Sequence, residues 1–246
     1  MVGSALRRLM EGDHRLLADI EHRDAFSKAL VALLHGIEPL KHLPRSGWVD
    51  REIPGPESVA AHSWRLALLS WLTAAEEGLD ADHAMRLALV HDIPEVLTGD
   101  RTPFDHLEDV RDRRRLAANP SDRPVKVEVD AHANKTASER AALAAIVADA
   151  PPAIADTLSA LWEDYAAESS PEARLVHQLD KLEAYLQGWE YAEDGRLTDP
   201  KTLRSFRRDG GRLATEPAAR ALFLAIEAWA RADVQLRDAK SIRPES

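Results

Sequence analysis

Apolar residues recur at intervals of three and four positions along most of this chain, which is the spacing of an amphipathic helix. Residues 105–135 break this spacing with charged residues and prolines. Within them, Val125–Val129 alternates with period two, so a short β ribbon is an open alternative there. Elsewhere the pattern predicts helices near residues 24–37, 58–77, 80–99, 136–147, 154–165, 170–186 and 217–234.

These stretches predict one large helical domain with extensions at both ends. Loosely spaced apolar residues in 1–23 predict a helical packing arm, 24–236 form the domain, and 237–246 form a frayed tail. The segment 105–135 is a charged loop inserted into the domain. Charge runs of this kind are usually solvated, although such a loop can act as a lid when it lies near a functional site.

One apolar helical stretch, Leu87–Leu97, contains three groups that are costly to bury in an apolar interior. His91 and Asp92 are adjacent, so they can converge on a metal ion in the wedge between their side chains. Glu95 stands one turn away, where it can act on water. Pro94 cannot donate a backbone hydrogen bond and predicts a kink at this point. The alternative is a helix end with a capping histidine and two solvated acids.

Two other helices place polar groups beside their apolar stripes. His62 lies on the inward face of the helix after Ser58, and Asp180 lies beside the stripe of the helix after Ser170. Each is a candidate metal ligand. A buried histidine is more often a hydrogen-bonded core residue, however, and a buried aspartate more often forms a salt bridge. Asp100 follows Gly99 and can either reach the site after the kink or cap a turn.

The segment before Ser58 brings together a cation and an indole. Arg45 can hold phosphate through two parallel hydrogen bonds, and Trp48 can stack on a nucleotide or stand as a wall beside its sugar. The pair therefore predicts a nucleotide site. In the alternative, Trp48 plugs the edge of the core and Arg45 is solvated.

Composition narrows the chemistry. The 246 residues include 45% hydrophobic residues, enough for a sizeable core, and no cysteine, so a metal site must use histidine and carboxylate. The net charge of −10 disfavours binding to a nucleic acid duplex. No apolar stretch is long enough for a membrane span, and the N-terminus lacks a signal-peptide core. We therefore expect a cytoplasmic protein that does not bind membranes.

Four segments, taken in order, resemble the HD superfamily of metal-dependent phosphohydrolases, and within it the 5′-deoxynucleotidase branch. They are "LKHLPRSGWV", "PESVAAHSWRLAL", "LALVHDIPEVLTGD" and "LWEDYAAESSPEARLVHQLDKLEAYLQGWEY". The resemblance implies an all-α HD-domain bundle, commonly a homodimer, with one divalent ion held between helices by His62, His91, Asp92 and Asp180. It also implies that Glu95 acts on the attacking water, with Asp100 assisting, and that Arg45 and Trp48 shape the nucleotide site.

The implied activity is hydrolysis of deoxynucleoside 5′-monophosphates to deoxynucleosides and phosphate. The donor set suits Mn²⁺, Co²⁺, Mg²⁺, Fe²⁺ or Zn²⁺ without selecting one. The chain departs from the family at Ala61, where an acidic residue is usual, and this change predicts weaker metal binding. Two alternatives stay open: another HD phosphohydrolase, acting on nucleoside triphosphates, cyclic nucleotides or (p)ppGpp, and a non-catalytic nucleotide-binding protein.

Overall fold

The computed structural model describes residues 23–101 and 125–241, and it confirms the all-α prediction over these ranges. No strand occurs in them; an isolated bridge joins Pro44 to Ser58. Short 3-10 turns cover Glu38–Lys41 and Pro200–Leu203. The α-helices are α1 (23–36), α2 (Ser46–Val49), α3 (Val59–Glu76), α4 (Ala81–Val90), α5 (Glu95–Thr98), α6 (Val125–Ile146), α7 (Pro152–Ala167), α8 (Pro171–Glu193), α9 (Arg204–Leu213) and α10 (Pro217–Ser241).

Side-chain caps fix where the three central helices begin. The Ser58 hydroxyl accepts a hydrogen bond from the Ala61 amide at 3.2 Å, and Asp80 accepts one from the His83 amide at 2.9 Å. Ser170 caps α8 in the same way, with Pro171 at the first helical position. These caps satisfy amides that would otherwise lack an intrahelical partner, which confirms the predicted helix starts.

The predicted break at Pro94 is also confirmed. Helix α4 ends at Val90, and α5 begins at Glu95 after a short turn. In that turn the Glu95 amide bonds to the Asp92 carbonyl at 3.0 Å, a tighter pattern than the α-helix. The break leaves His91 and Asp92 at the end of one helix, directly before the next.

The core forms where α3, α4 and α8 pack against one another. Leu66 from α3, Leu87 from α4 and Leu179 from α8 are fully buried there. The inward faces of these helices are the faces on which the sequence placed its candidate ligands. The packing of ordinary apolar stripes therefore determines where the polar groups meet.

Two expectations about residues 105–135 need correction. The short ribbon that is an alternative over Val125–Val129 does not form, and the predicted loop is too long, because α6 begins at Val125 and continues through residues placed in the loop. A single alternating run has no strand to pair with, whereas a helix satisfies its own backbone hydrogen bonds.

The predicted frayed tail, residues 237–246, is helical as far as Ser241. Residues 1–22, 102–124 and 242–246, which include most of the predicted arm, loop and tail end, lie outside the described residues.

Candidate metal centre

Three of the four predicted ligands offer donor atoms within 4.8 Å of one another: His62 from α3, and His91 and Asp92 from the turn after α4. Asp180 from α8 joins them, since its Oδ1 lies 3.0 Å from Nε2 of His62. Nε2 of His91 lies 3.0 Å from Oδ2 of Asp92. Four side chains from three separate stretches of the sequence thus meet at one buried point between three helices.

Both imidazoles are oriented by protein groups at their other nitrogen. Nδ1 of His91 contacts the carbonyl oxygen of Ala88 at 2.8 Å, and Nδ1 of His62 contacts the Glu183 carboxylate. In the neutral imidazole, an Nδ1 that donates its proton in this way leaves Nε2 with the lone pair that a metal ion needs. Outer partners of this kind orient histidine ligands in metal sites.

The inner donor atoms face one another at about 3.0 Å but form no hydrogen bond of good geometry among the described residues. These buried atoms are Nε2 of His62, Nε2 of His91 and Oδ1 of Asp180. Buried polar atoms are almost always paired, so three such atoms at one point call for a shared ligand. Two imidazole nitrogens and two carboxylates fit a divalent cation of borderline or hard character. The residues present therefore suit the metal that the sequence predicts.

Arg45 lies beside these ligands rather than in solvent. Its Nη1 lies 2.9 Å from Oδ2 of Asp92, and its Nη2 lies 3.7 Å from Oδ1 of Asp180. Burial alone would raise the pKa of Asp180, but Lys181, His62 and Arg45 together hold it well below its usual value. Burial and Arg45 would lower the pKa of His62, yet Glu183 and Asp180 raise it to about 10.

Glu95, the candidate base, is buried at the start of α5. Its Oε1 lies 3.5 Å from Nζ of Lys135, and its Oε2 has no partner among the described residues. Burial raises the pKa of Glu95 to about 9, with Asp92 and Asp100 adding to the shift and Lys135 and Arg45 opposing it. A divalent cation among these carboxylates would lower that pKa again.

Asp100 supports the segment that carries Arg45. Its Oδ2 accepts a hydrogen bond from the Ser46 amide at 2.7 Å, and its backbone carbonyl accepts one from the Ser46 hydroxyl. Oδ2 also lies 3.8 Å from Nε of Arg45. These contacts hold the loop that carries Arg45 and bring the Asp100 carboxylate to the edge of the site, instead of capping the turn after Gly99.

Trp48 has the placement of a core residue. The side chain is 1% exposed, stacks on Phe206 and meets Tyr191 edge-on. Its indole N–H donates to Oε1 of Glu57 at 3.0 Å. This placement corresponds to the alternative in which Trp48 plugs the edge of the core, and it leaves little surface for a wall beside a sugar.

Sequence reasoning missed two charged residues that contact the candidate site. Glu183, on α8, contacts His62 and accepts a hydrogen bond from Nε of Arg65 at 2.6 Å. It supplies His62 with the carboxylate expected at position 61, where the chain has alanine. Its spacing of three from Asp180 was the available signal. Lys135 gave no signal, because it fell in the predicted loop.

A family model described as the HD domain matches residues 37–218. The chain belongs to the HD domain family. The mouse protein named 5′-deoxynucleotidase HDDC2 is 34% identical over 174 residues, which are 69% of this chain and 75% of that protein. The Schizosaccharomyces pombe 5′-deoxynucleotidase hdd1 is 26% identical over 74% of this chain and 81% of its own length.

Solved structures show the same HD domain fold. A conserved hypothetical protein from Pyrococcus furiosus superposes with a TM-score of 0.60 at 23% identity, covering 80% of this chain and 99% of that one. A protein from Magnetospirillum magnetotacticum, described as a predicted metal-dependent phosphohydrolase, superposes with a TM-score of 0.59 at 24% identity, covering 86% of this chain and 96% of that one. Among the helices described here, none has the length and apolar character needed to cross a membrane.

Proposed function

We propose that this HD domain is a metal-dependent phosphohydrolase that converts deoxynucleoside 5′-monophosphates to deoxynucleosides and phosphate. The observation that carries the proposal is the set of buried, unpartnered donor atoms on His62, His91 and Asp180. The names of relatives that align over more than two thirds of the chain support the substrate class. Intact ligands together with Glu95 favour an enzyme over a non-catalytic nucleotide-binding protein.

In this proposal His62, His91, Asp92 and Asp180 hold one divalent ion. When bound, such an ion polarises a phosphoryl oxygen and makes water a better nucleophile at neutral pH. Glu95 takes the proton from the attacking water, because its free Oε2 faces no other partner. The water oxygen bonds to phosphorus as the P–O5′ bond breaks, and the proton that Glu95 took passes to O5′, so the nucleoside leaves as an alcohol.

Arg45 is the proposed phosphate contact from the loop before α2. Its guanidinium now lies between Asp92 and Asp180, where it balances their charge. A divalent ion held by the same carboxylates would replace that positive charge and leave the guanidinium available to an incoming phosphate. Asp100 assists by fixing Ser46, the residue next to Arg45. Trp48 supports the same loop from the core, and its indole N–H donates a hydrogen bond to Glu57.

Phosphate release from a panel of nucleotides tests the activity. With added Mn²⁺ or Co²⁺, deoxynucleoside monophosphates should be hydrolysed, and nucleoside triphosphates, cyclic nucleotides and (p)ppGpp should not. Rejection of a ribose hydroxyl typically corresponds to about ten- to two-hundred-fold in kcat/KM, so dAMP should be preferred to AMP by this order. Equal hydrolysis of dAMP and AMP would contradict the sugar preference, and hydrolysis only of triphosphates would favour the other HD chemistry.

A homodimer is also part of the proposal. The outer face of α3 exposes a stripe of large apolar residues at helical spacing: Trp64 (65% exposed), Leu68 (41%), Trp71 (44%) and Leu72 (57%). Antiparallel pairing of this stripe with a second copy about a two-fold axis at Leu68 would bring Trp64 against Leu72. Light scattering tests it with Leu68→Glu, which should give a monomer because the two introduced charges would face each other. The absence of cysteine supports the cytoplasm as the compartment.

A further inference from the structure

Lys135 projects from α6 toward the candidate base. Its Nζ lies 3.5 Å from Oε1 of Glu95, 3.3 Å from Oε1 of Glu139 and 3.4 Å from the carbonyl oxygen of Arg101. All three distances exceed the roughly 2.8 Å of a tight charge-assisted hydrogen bond. The side chain is 35% exposed. The ammonium is therefore held loosely and can turn to a ligand without breaking a tight pair.

The other cations beside the ligands are held more closely. Arg45 lies 2.9 Å from Asp92 and is mostly buried, and Nζ of Lys181 lies 2.5 Å from Oδ2 of Asp180. Each of these two cations balances a metal-ligating carboxylate directly. Lys135 instead contacts Glu95, which the proposed mechanism assigns to water. Among the cations of the described residues at this site, Lys135 combines access with loose pairing.

A phosphate monoester needs such a cation here. It carries close to two negative charges at neutral pH, and it must approach the carboxylates of Asp92, Glu95, Asp100 and Asp180. Repulsion among like charges a few ångströms apart is large in a buried site. One divalent ion and Arg45 offset only part of this negative charge. An ammonium beside Glu95 would offset more of it, and it would hold the phosphate next to the water that Glu95 deprotonates.

We propose that Lys135 is a substrate-binding residue that contacts the phosphate of the nucleotide. In the absence of substrate, the Lys135 ammonium pairs with Glu139. The proposal rests on the phosphomonoester hydrolysis proposed above. It gives the helix that follows residues 102–124 a direct part in binding substrate. It also predicts effects of opposite sign for Lys135 and its partner Glu139, which a purely structural salt bridge would not give.

Calorimetric titration of the Mn²⁺-loaded protein with inorganic phosphate tests this contact without relying on turnover. Lys135→Gln should weaken phosphate binding roughly ten-fold, since it removes one charge-assisted hydrogen bond, and Lys135→Arg should restore most of the affinity. Glu139→Gln should tighten binding by about two- to five-fold, because it removes a competing carboxylate and frees Lys135. Lys28→Gln, which removes an exposed lysine paired with Asp24, is the matched control and should change nothing.

Bound Mn²⁺ and the melting temperature are measured for every variant. Unchanged phosphate affinity in Lys135→Gln, or a loss that parallels a loss of bound Mn²⁺, would overturn the proposal and leave the proposed hydrolysis standing. If phosphate binding depends on Lys135 but no nucleotide is hydrolysed, the proposed function fails and the contact stands. If the unaltered protein binds no phosphate, both fail.

Discussion

Two ionic clusters, each around a buried carboxylate, involve α8, and they differ in how their polar atoms are partnered. In one, the Glu227 carboxylate accepts hydrogen bonds from the Tyr185 hydroxyl at 2.5 Å and from Nε and Nη2 of Arg207 at 2.9 and 2.7 Å. The Arg207 bonds are the main reason that the pKa of Glu227 lies below its usual value. In the other, around Asp180, several buried donor and acceptor atoms face one another without a hydrogen bond.

Burial and charge are common to both clusters, so neither property identifies the functional one. The Glu227 cluster is closed, because every strong acceptor there has a donor. The cluster at Asp180 is open, because Nε2 of His62 and Oδ1 of Asp180 face each other at 3.0 Å without a hydrogen bond of good geometry. A buried polar atom with no partner at all typically lowers stability by about 1 to 3 kcal/mol. A ligand that binds to these atoms offsets this loss of stability. The unpartnered atoms, more than the acidic residues themselves, therefore mark the candidate site.

The largest effect should follow from removing the charge of a candidate metal ligand in the open cluster. Asp180→Asn keeps the shape of the side chain and removes its charge, so the protein should fold but lose most bound metal and its phosphohydrolase activity. Glu227→Gln is the matched change in the closed cluster. It should retain metal and lower the free energy of unfolding by about 2 kcal/mol, because it weakens the charge-assisted hydrogen bonds that Tyr185 and the largely exposed Arg207 donate to Glu227. Elemental analysis and urea unfolding separate the two results, and unchanged metal content in Asp180→Asn would remove Asp180 from the ligand set.

The next effect concerns Glu95, which belongs to the open cluster without being assigned to the metal. Glu95→Ala should retain bound metal and lower the rate by about 10² to 10⁴, the usual contribution of a positioned general base. Steady-state kinetics on dAMP and metal analysis of the same sample measure both quantities. Loss of metal along with rate would instead make Glu95 a ligand.

A smaller effect should come from Glu183, which orients His62 from outside the donor set. Glu183→Gln should weaken metal binding by about 10- to 100-fold, the range typical of partners that orient a ligand. Competition with a chelator measures this affinity. Arg65→Gln is the control, because it removes the other partner of Glu183 but leaves the contact with His62. If both variants lose the same metal affinity, Glu183 acts through packing and not through His62.

The candidate ligands could be predicted from sequence because each combines a distinctive side chain with a clear helical face. His62 lies on the apolar side of α3. The His91–Asp92 pair lies at a helix end that is predicted by Pro94. The family resemblance then linked them across the chain. Their placement at one point needed only that amphipathic helices pack by their apolar stripes, which is a general property.

The outer contacts could not be predicted in the same way. Glu183 meets His62 only because α3 and α8 pack with a particular rotation and register, which no local pattern encodes. Trp48 is buried because α8 has a glycine at position 188, where a Cβ would lie 3.1 Å from the indole and 2.4 Å from Leu203. The alternation over Val125–Val129 misled because strand formation depends on a partner strand and not on one run of residues.

The smallest effects are expected from replacing tyrosine by phenylalanine in each of the two clusters. Tyr185→Phe removes the hydroxyl that donates to Glu227 at 2.5 Å, and loss of a hydrogen bond to a charged acceptor should lower the free energy of unfolding by about 1.5 kcal/mol. Tyr165→Phe removes a hydroxyl that lies 3.5 Å from Oδ2 of Asp180, too far for a strong bond. Its stability should therefore change by less than about 0.5 kcal/mol. Urea midpoints at constant m-value measure both changes. A larger loss of unfolding free energy for Tyr165→Phe would mean that the Tyr165 hydroxyl forms a strong hydrogen bond to Asp180. The contrast between the two clusters would then be wrong.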